Sequence, residues 1–196
     1  MTHKLVYLTG APATGKSTLT ENLGKLFPKT HIFTYNKELL ALVKTRLSSI
    51  ATQDDLRRES SNIITRDDVE EIDRQLLDLV NSTREKQHIV VDSHPVTIEN
   101  YGFRVTPFSK RQISQLAPDV IICLYASSEI IADRIKANAA GRPLPSLSDL
   151  DLHAQIQCQV ASMYAFETGS HLYYLNSGIS QELLLDNFLR ATNIGQ

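Results

Sequence analysis

Gly10-Ala11-Pro12-Ala13-Thr14-Gly15-Lys16-Ser17 stands directly after the apolar run Leu5-Val6-Tyr7-Leu8 and directly before Leu19, Leu23 and Leu26, which recur at helical spacing. The eight residues read as a phosphate-binding loop between a strand and a helix. Two glycines bracket a turn in which side chains would block close approach, so backbone N–H groups can converge on a phosphate. The helix that follows points its positive dipole end at the same anion. Lys16 would reach the β- and γ-phosphates of a nucleotide as a mobile point charge, and the Ser17 hydroxyl would ligate the Mg²⁺ that bridges them. Thr18 comes next and is placed to touch the α-phosphate. Gly10, Ala11, Pro12, Ala13, Thr14, Gly15, Lys16, Ser17 and Thr18 are therefore the expected ATP-binding segment.

Outward from the loop, residues 4–9 predict a strand of the fully buried, parallel kind, and residues 16–27 predict a helix that Pro28 ends. A second strand is expected at 31–35 and a helix at 36–50, with Leu39, Leu40, Val43 and Leu47 on one side. Thr65-Arg66-Asp67-Asp68 has the form of a capping box, and the spacing of Val69, Ile72, Leu76, Leu79 and Val80 predicts a helix over 66–86. Residues 88–92 form another apolar strand ending in a carboxylate. The stretch from Ser93 to Ser109, punctuated by Pro95, Gly102 and Pro107, reads as an irregular active-site loop. A short helix near 109–116, the apolar strand Val120–Tyr125 and a helix from Ser127 to about Asn138 follow. Ala139 to Ser146 reads as a hinge-like loop, and Ser148 with Asp151 as a capping box opening a helix that stops at Gly169. A strand at 172–175 and a helix at 180–191 close the chain.

Short apolar strands alternating with helices predict a three-layer α/β P-loop fold, a five-stranded parallel sheet with helices on both faces and the ligand at the carboxyl ends of the strands. A single domain over residues 1–196 is expected, with an acceptor-binding insert at about 36–66 and a mobile lid at about 139–149.

The 20 basic and 22 acidic residues are interspersed, for a net charge of −2, and lack the basic block of a duplex-binding protein. Cys123 and Cys158 have no close Cys or His partners of zinc type and read as reduced core thiols. Neither a signal segment after Met1-Thr2-His3-Lys4 nor an apolar run of membrane-spanning length is present, so a soluble, cytoplasmic protein is expected.

Asp92 ends its strand where a carboxylate can orient the hydration shell of Mg²⁺. With Ser17 it forms the expected metal pair, and with Lys16 and Arg142 the expected catalytic set. Arg134 is placed to stack on the base, and Arg142 to reach the phosphates when the lid closes. Asn176, at the end of the last strand, is placed to line the base pocket. Arg46, Arg57, Arg58 and Arg104 are candidate anchors for an anionic acceptor, with Arg57, Arg104 and His94 the chosen acceptor residues.

With Val91-Asp92-Ser93-His94, Tyr101-Gly102, Pro118-Asp119-Val120-Ile121-Ile122, the pair Arg134 and Arg142, and Tyr164 before Thr168-Gly169 laid out, the chain resembles the archaeal-type adenylate kinase family over nearly its whole length. The resemblance implies a nucleoside monophosphate kinase core, ATP and Mg²⁺ as cofactors, and the conversion of ATP and AMP to two ADP. The family includes oligomers, so a homo-oligomer stays open. Two departures stand out: Ala140 and Cys158 occupy positions where the family carries arginines, and Gly141-Arg142-Pro143-Leu144 is closer to the lid of shikimate-type kinases. A monophosphate kinase is the leading reading. A kinase of a hydroxyl-bearing metabolite is the second, and an ATP-gated binding or assembly ATPase the third.

Overall fold

The computed structural model describes residues 3–47, 52, 63–99, 101–138 and 144–195. Seven strands and seven helices are described: β1 (Leu5–Gly10), α1 (Lys16–Leu26), β2 (His31–Thr34), α2 (Tyr35–Lys44), α3 (Arg66–Thr83), β3 (Ile89–Asp92), β4 (Val96–Glu99), β5 (Gly102–Val105), α4 (Lys110–Leu116), β6 (Val120–Tyr125), α5 (Ser128–Ala137), α6 (Leu147–Thr168), β7 (His171–Asn176) and α7 (Gln181–Thr192).

Alternation within the apolar strands assigns each residue to a face. Leu5, Tyr7, Ile89, Val91, Ile121 and Cys123 pack with buried residues of α3, α4 and α6. Val6, Leu8, Val90, Ile122 and Leu124 pack with Leu19 and Leu23 of α1 and Leu184 and Phe188 of α7. With both faces covered, β2, β3, β1, β6 and β7 pair in that order, all parallel, giving the expected three-layer P-loop kinase fold. The chain runs from β1 out to β2 and returns through β3 on one side, then crosses to β6 on the other. The carboxyl end of β1 is thus the point where strand order reverses, which is where open α/β sheets hold ligands.

The stretch from Ser93 to Ser109 departs from the expected irregular loop. Val96-Thr97-Ile98-Glu99 and Gly102-Phe103-Arg104-Val105 pair as an antiparallel hairpin, with Val96 opposite Val105 and Glu99 opposite Gly102. Its anchor is Val96, fully buried. Tyr35 begins α2 rather than ending β2, and α2 stops at Lys44. The Thr65–Asp68 capping box forms as expected, with the helix ending at Thr83. Helix α6 opens two residues earlier than expected. Ser146, not Ser148, is its cap, accepting from the Asp149 backbone N–H at 3.1 Å. Both serines precede an aspartate by three residues, and the earlier pair closes the helix.

Candidate active site

Three residues of the β1–α1 loop hold positive φ: Gly10 at 149°, Ala13 at 63° and Gly15 at 86°. A Cβ on Gly10 would lie 2.6 Å from the Leu124 carbonyl oxygen, so the adjacent strand β6 itself enforces glycine there. Thr14 closes the turn by donating its hydroxyl to the Ala11 carbonyl at 2.7 Å. Lys16 is buried, and its Nζ donates to the carbonyls of Gly10 at 2.7 Å and Ala11 at 3.4 Å. The ammonium is thereby held inside the loop. Ser17 and Thr18 are exposed on the first turn of α1, where N–H groups have no intrahelical partner.

Asp92 ends β3 in register with Leu8 of β1. It is buried, and its Oδ1 has no hydrogen-bond partner among the described residues. Burial pushes its carboxyl above the ordinary range, while the charges of Lys16 and Lys37 pull it back down. An unpartnered carboxylate oxygen and an exposed hydroxyl are hard donors, few in number. That set suits Mg²⁺, which keeps several waters and takes most of its remaining ligands from phosphates.

Arg134 reaches from α5 to the same loop, its Nη1 donating to the Ala13 carbonyl at 3.1 Å and its Nη2 to the Ser177 carbonyl. It ties the loop to the turn after β7. These bonds lie in the guanidinium plane, so the flat faces are what the group has left to offer a base. Asn176 turns its side chain inward on that turn, accepting from the Gly178 N–H at 2.8 Å.

The AAA domain family model matches residues 9–151, beginning at the strand end that carries this loop and running past Arg134. The chain belongs to the AAA domain family. Adenylate kinases of three archaea resemble this member over most of their length. Those of Methanothermobacter thermautotrophicus, Pyrobaculum aerophilum and Methanococcus aeolicus are 24%, 24% and 25% identical, covering 91%, 87% and 87% of this chain and 96%, 83% and 87% of their own. Among solved structures, a sugar kinase from Janibacter sp. aligns with TM-score 0.54 at 14% identity, covering 98% of this chain and 96% of its own. The tunicamycin resistance protein of Deinococcus radiodurans aligns with TM-score 0.56 at 11% identity, with 98% and 96% covered. These structures share the fold.

In this AAA domain protein the expected acceptor residues are only partly gathered. Arg57, Arg58 and Arg142 lie outside the described residues, as do residues 139–143 of the expected lid and most of the polar stretch in the expected insert. His94 is half-buried, with its Nε2 3.2 Å from Asn36 Nδ2 of α2. Arg104, on β5, is paired with Glu99 at 2.9 Å across the hairpin, while its Nε is buried without a partner among the described residues. Arg46 is bound to Asp68 and to the Ile63 carbonyl, so it fastens α2 to the cap of α3.

Two residues absent from the sequence reading sit beneath the loop. Gln157 of α6 donates its Nε2 to Thr9 Oγ1 at 2.7 Å, one residue before Gly10, and leaves its Oε1 unpartnered. His153, one turn earlier, has Nε2 3.0 Å from the Val96 carbonyl and packs edge-on against Phe103, with ring centroids 5.5 Å apart. Burial holds this imidazole below its ordinary pKa, so at neutral pH it is uncharged and Nε2 donates to the carbonyl. Helix α6 thus grips both the strand that carries the loop and the hairpin that carries Arg104. The available signal was periodic: positions 150, 153, 157, 160, 161 and 164 are all buried on one helical face, and two of them are polar.

Proposed function

We propose that this P-loop kinase transfers the γ-phosphoryl group of Mg·ATP to a nucleoside monophosphate, with AMP the first choice. The observation that carries the reading is the convergence of the Lys16 ammonium and the buried Asp92 carboxylate at the carboxyl end of β1, where the loop opens. The names of the archaeal relatives support the monophosphate.

The mechanism rests on placement and charge. The Lys16 ammonium moves from the carbonyls of Gly10 and Ala11 onto the β- and γ-phosphates, while the N–H groups of residues 13–17 wrap the β-phosphate. Ser17 and Asp92 are the residues that would hold Mg²⁺, which when bound would supply positive charge to the phosphates. Arg134 fixes Ala13 and offers its face to the adenine; Asn176 shapes the turn beside it. Arg57, Arg104 and His94 receive the acceptor, and Arg142 arrives with the lid to stabilise charge on the migrating group and exclude water. Because a phosphate acceptor is already an anion, no general base is needed. The site is expected to work as a soluble protein with two small-molecule substrates.

A second reading, phosphorylation of a hydroxyl-bearing metabolite, has one observation in its favour. Asp92 has a free Oδ1 and a carboxyl that burial pushes upward, as suits a proton acceptor, while Arg46 and Arg104 are already paired with acids.

ADP formation from Mg·ATP, measured across nucleoside monophosphates and hydroxyl metabolites with Lys16→Ala as the blank, separates the two. Stimulation by one monophosphate, absent from the blank, is the expected result. Stimulation only by a hydroxyl compound replaces the first reading with the second, and none by any compound removes both.

A further inference from the structure

Cys123 and Cys158 are 35 residues apart in sequence, yet their Sγ atoms lie 3.6 Å apart, both as free thiols. Cys123 sits on the inner face of β6 and is fully buried, while Cys158 sits on α6 and is half-buried. Cys158 also lines an open groove of about 410 Å³, together with Tyr125, Ala126, Ala154 and Tyr174. One sulfur can therefore be reached from solvent and the other only through the first.

Their position gives the pair leverage on the site. Cys123 is in register with Thr9, the residue that precedes Gly10. Gln157, next to Cys158, holds the Thr9 hydroxyl at 2.7 Å. Helix α6, which carries both Gln157 and Cys158, begins at Leu147, within the segment expected to act as a lid.

We propose that Cys123 and Cys158 are a redox modification site, in which a hydroperoxide closes a reversible disulfide that shifts α6 against β6 and weakens the grip of the loop on Mg·ATP. The Cys158 thiolate attacks the distal peroxide oxygen, breaking the O–O bond and forming a sulfenic acid; with hydrogen peroxide the leaving hydroxide takes up a proton to become water. Cys123 sulfur then attacks the Cys158 sulfur, its proton leaves with the departing hydroxide as a second water, and the S–S bond forms. Two thiols lose two electrons in all, and one peroxide gains them. The order follows from access: Cys158 lines the open groove, whereas Cys123 is fully buried and meets the oxidant only through Cys158.

A disulfide needs its sulfurs at about 2.05 Å, so closing the 3.6 Å gap draws the Cys158 side of α6 toward β6. Misplacement by about 1 Å can reduce the performance of a site by up to about a hundredfold.

The test treats the reduced, full-length protein with hydrogen peroxide, alkylates the remaining thiols, and reads the intact mass beside the affinity for a fluorescent Mg·ATP analogue. Neither readout depends on the identity of the acceptor, so failure of the monophosphate assignment leaves the test intact. Expected are loss of both alkylatable thiols with no oxygen gained, and an affinity lower by about tenfold, with full recovery after dithiothreitol. Cys158→Ser should bind as the reduced wild type does and ignore peroxide. Cys123→Ala should carry oxygen on Cys158 without any disulfide; if it does not fold, Cys158→Ser alone decides. Both thiols still alkylatable after peroxide, an oxygen adduct in the wild type without loss of Cys123, or a disulfide that leaves nucleotide affinity unchanged would each overturn the proposal.

Discussion

The loop at residues 10–17 and the β4–β5 hairpin both leave the carboxyl ends of sheet strands, and they are held in opposite ways. The loop is held by backbone: left-handed residues, carbonyls that receive Thr14, Lys16 and Arg134, and a strand that leaves no room for a Cβ. The hairpin is held by side chains: the Arg104–Glu99 pair, the His153 bond to Val96 and the ring contact with Phe103. A backbone cradle recognises what every nucleoside triphosphate shares, whereas side chains can be exchanged without altering the fold. On the proposed reading the donor side is therefore generic, and the choice of acceptor would reside in groups such as Arg104, His94 and their neighbours.

That contrast can be broken at several points. Removing the lysine ammonium held inside the cradle, Lys16→Ala, should lower turnover by about 10²–10³-fold while the circular dichroism spectrum stays native, since a preorganised charge on the transferring group is lost. Asp92→Asn should lower turnover by about a hundredfold and yet raise stability. The sign follows from its raised pKa: above the ordinary aspartate range the native state binds more protons than the unfolded chain, so stability falls as pH rises toward neutrality. Urea unfolding measured stepwise from about pH 4 upward should show the variant's advantage growing as pH rises through the native-state pKa of Asp92.

A pair of glycine substitutions compares the two regions directly. Gly10→Ala drives a Cβ into the Leu124 carbonyl and should cost about 2–3 kcal/mol together with nucleotide binding. Gly102→Ala, at φ 136° but with nothing within 4 Å of the added Cβ, should cost only about 1 kcal/mol and spare nucleotide binding. Smallest of all, Arg104→Gln should raise the KM for the acceptor by about tenfold with the KM for ATP unchanged. A change in both KM values would mean that the hairpin acts through the loop rather than on the acceptor.

The loop could be read from sequence because its requirement is local: two glycines, a lysine and a serine within eight residues, between a strand and a helix. Strands β1, β3 and β6 were legible for a related reason, each being an apolar run whose burial on both faces leaves one placement. The hairpin was not, because Pro95, Gly102 and Pro107 suggested breakage, while its four-residue strands gain regularity only from each other. Missing it also hid the Arg104–Glu99 pair, whose partners lie diagonally across the hairpin on one face. The pairing of Arg46 with Asp68 was not legible because 22 residues separate the two in sequence. The cap of α6 was ambiguous because two serines offered the same three-residue spacing. His153 and Gln157 could have been found by asking why a long helix puts polar groups on its buried face.

The most direct measurement follows a label on the γ-phosphate of ATP in the presence of Mg²⁺ and AMP. The account predicts that it appears as the β-phosphate of newly formed ADP, and that Lys16→Ala abolishes the transfer. Label released only as inorganic phosphate, at a rate AMP does not change, would contradict it.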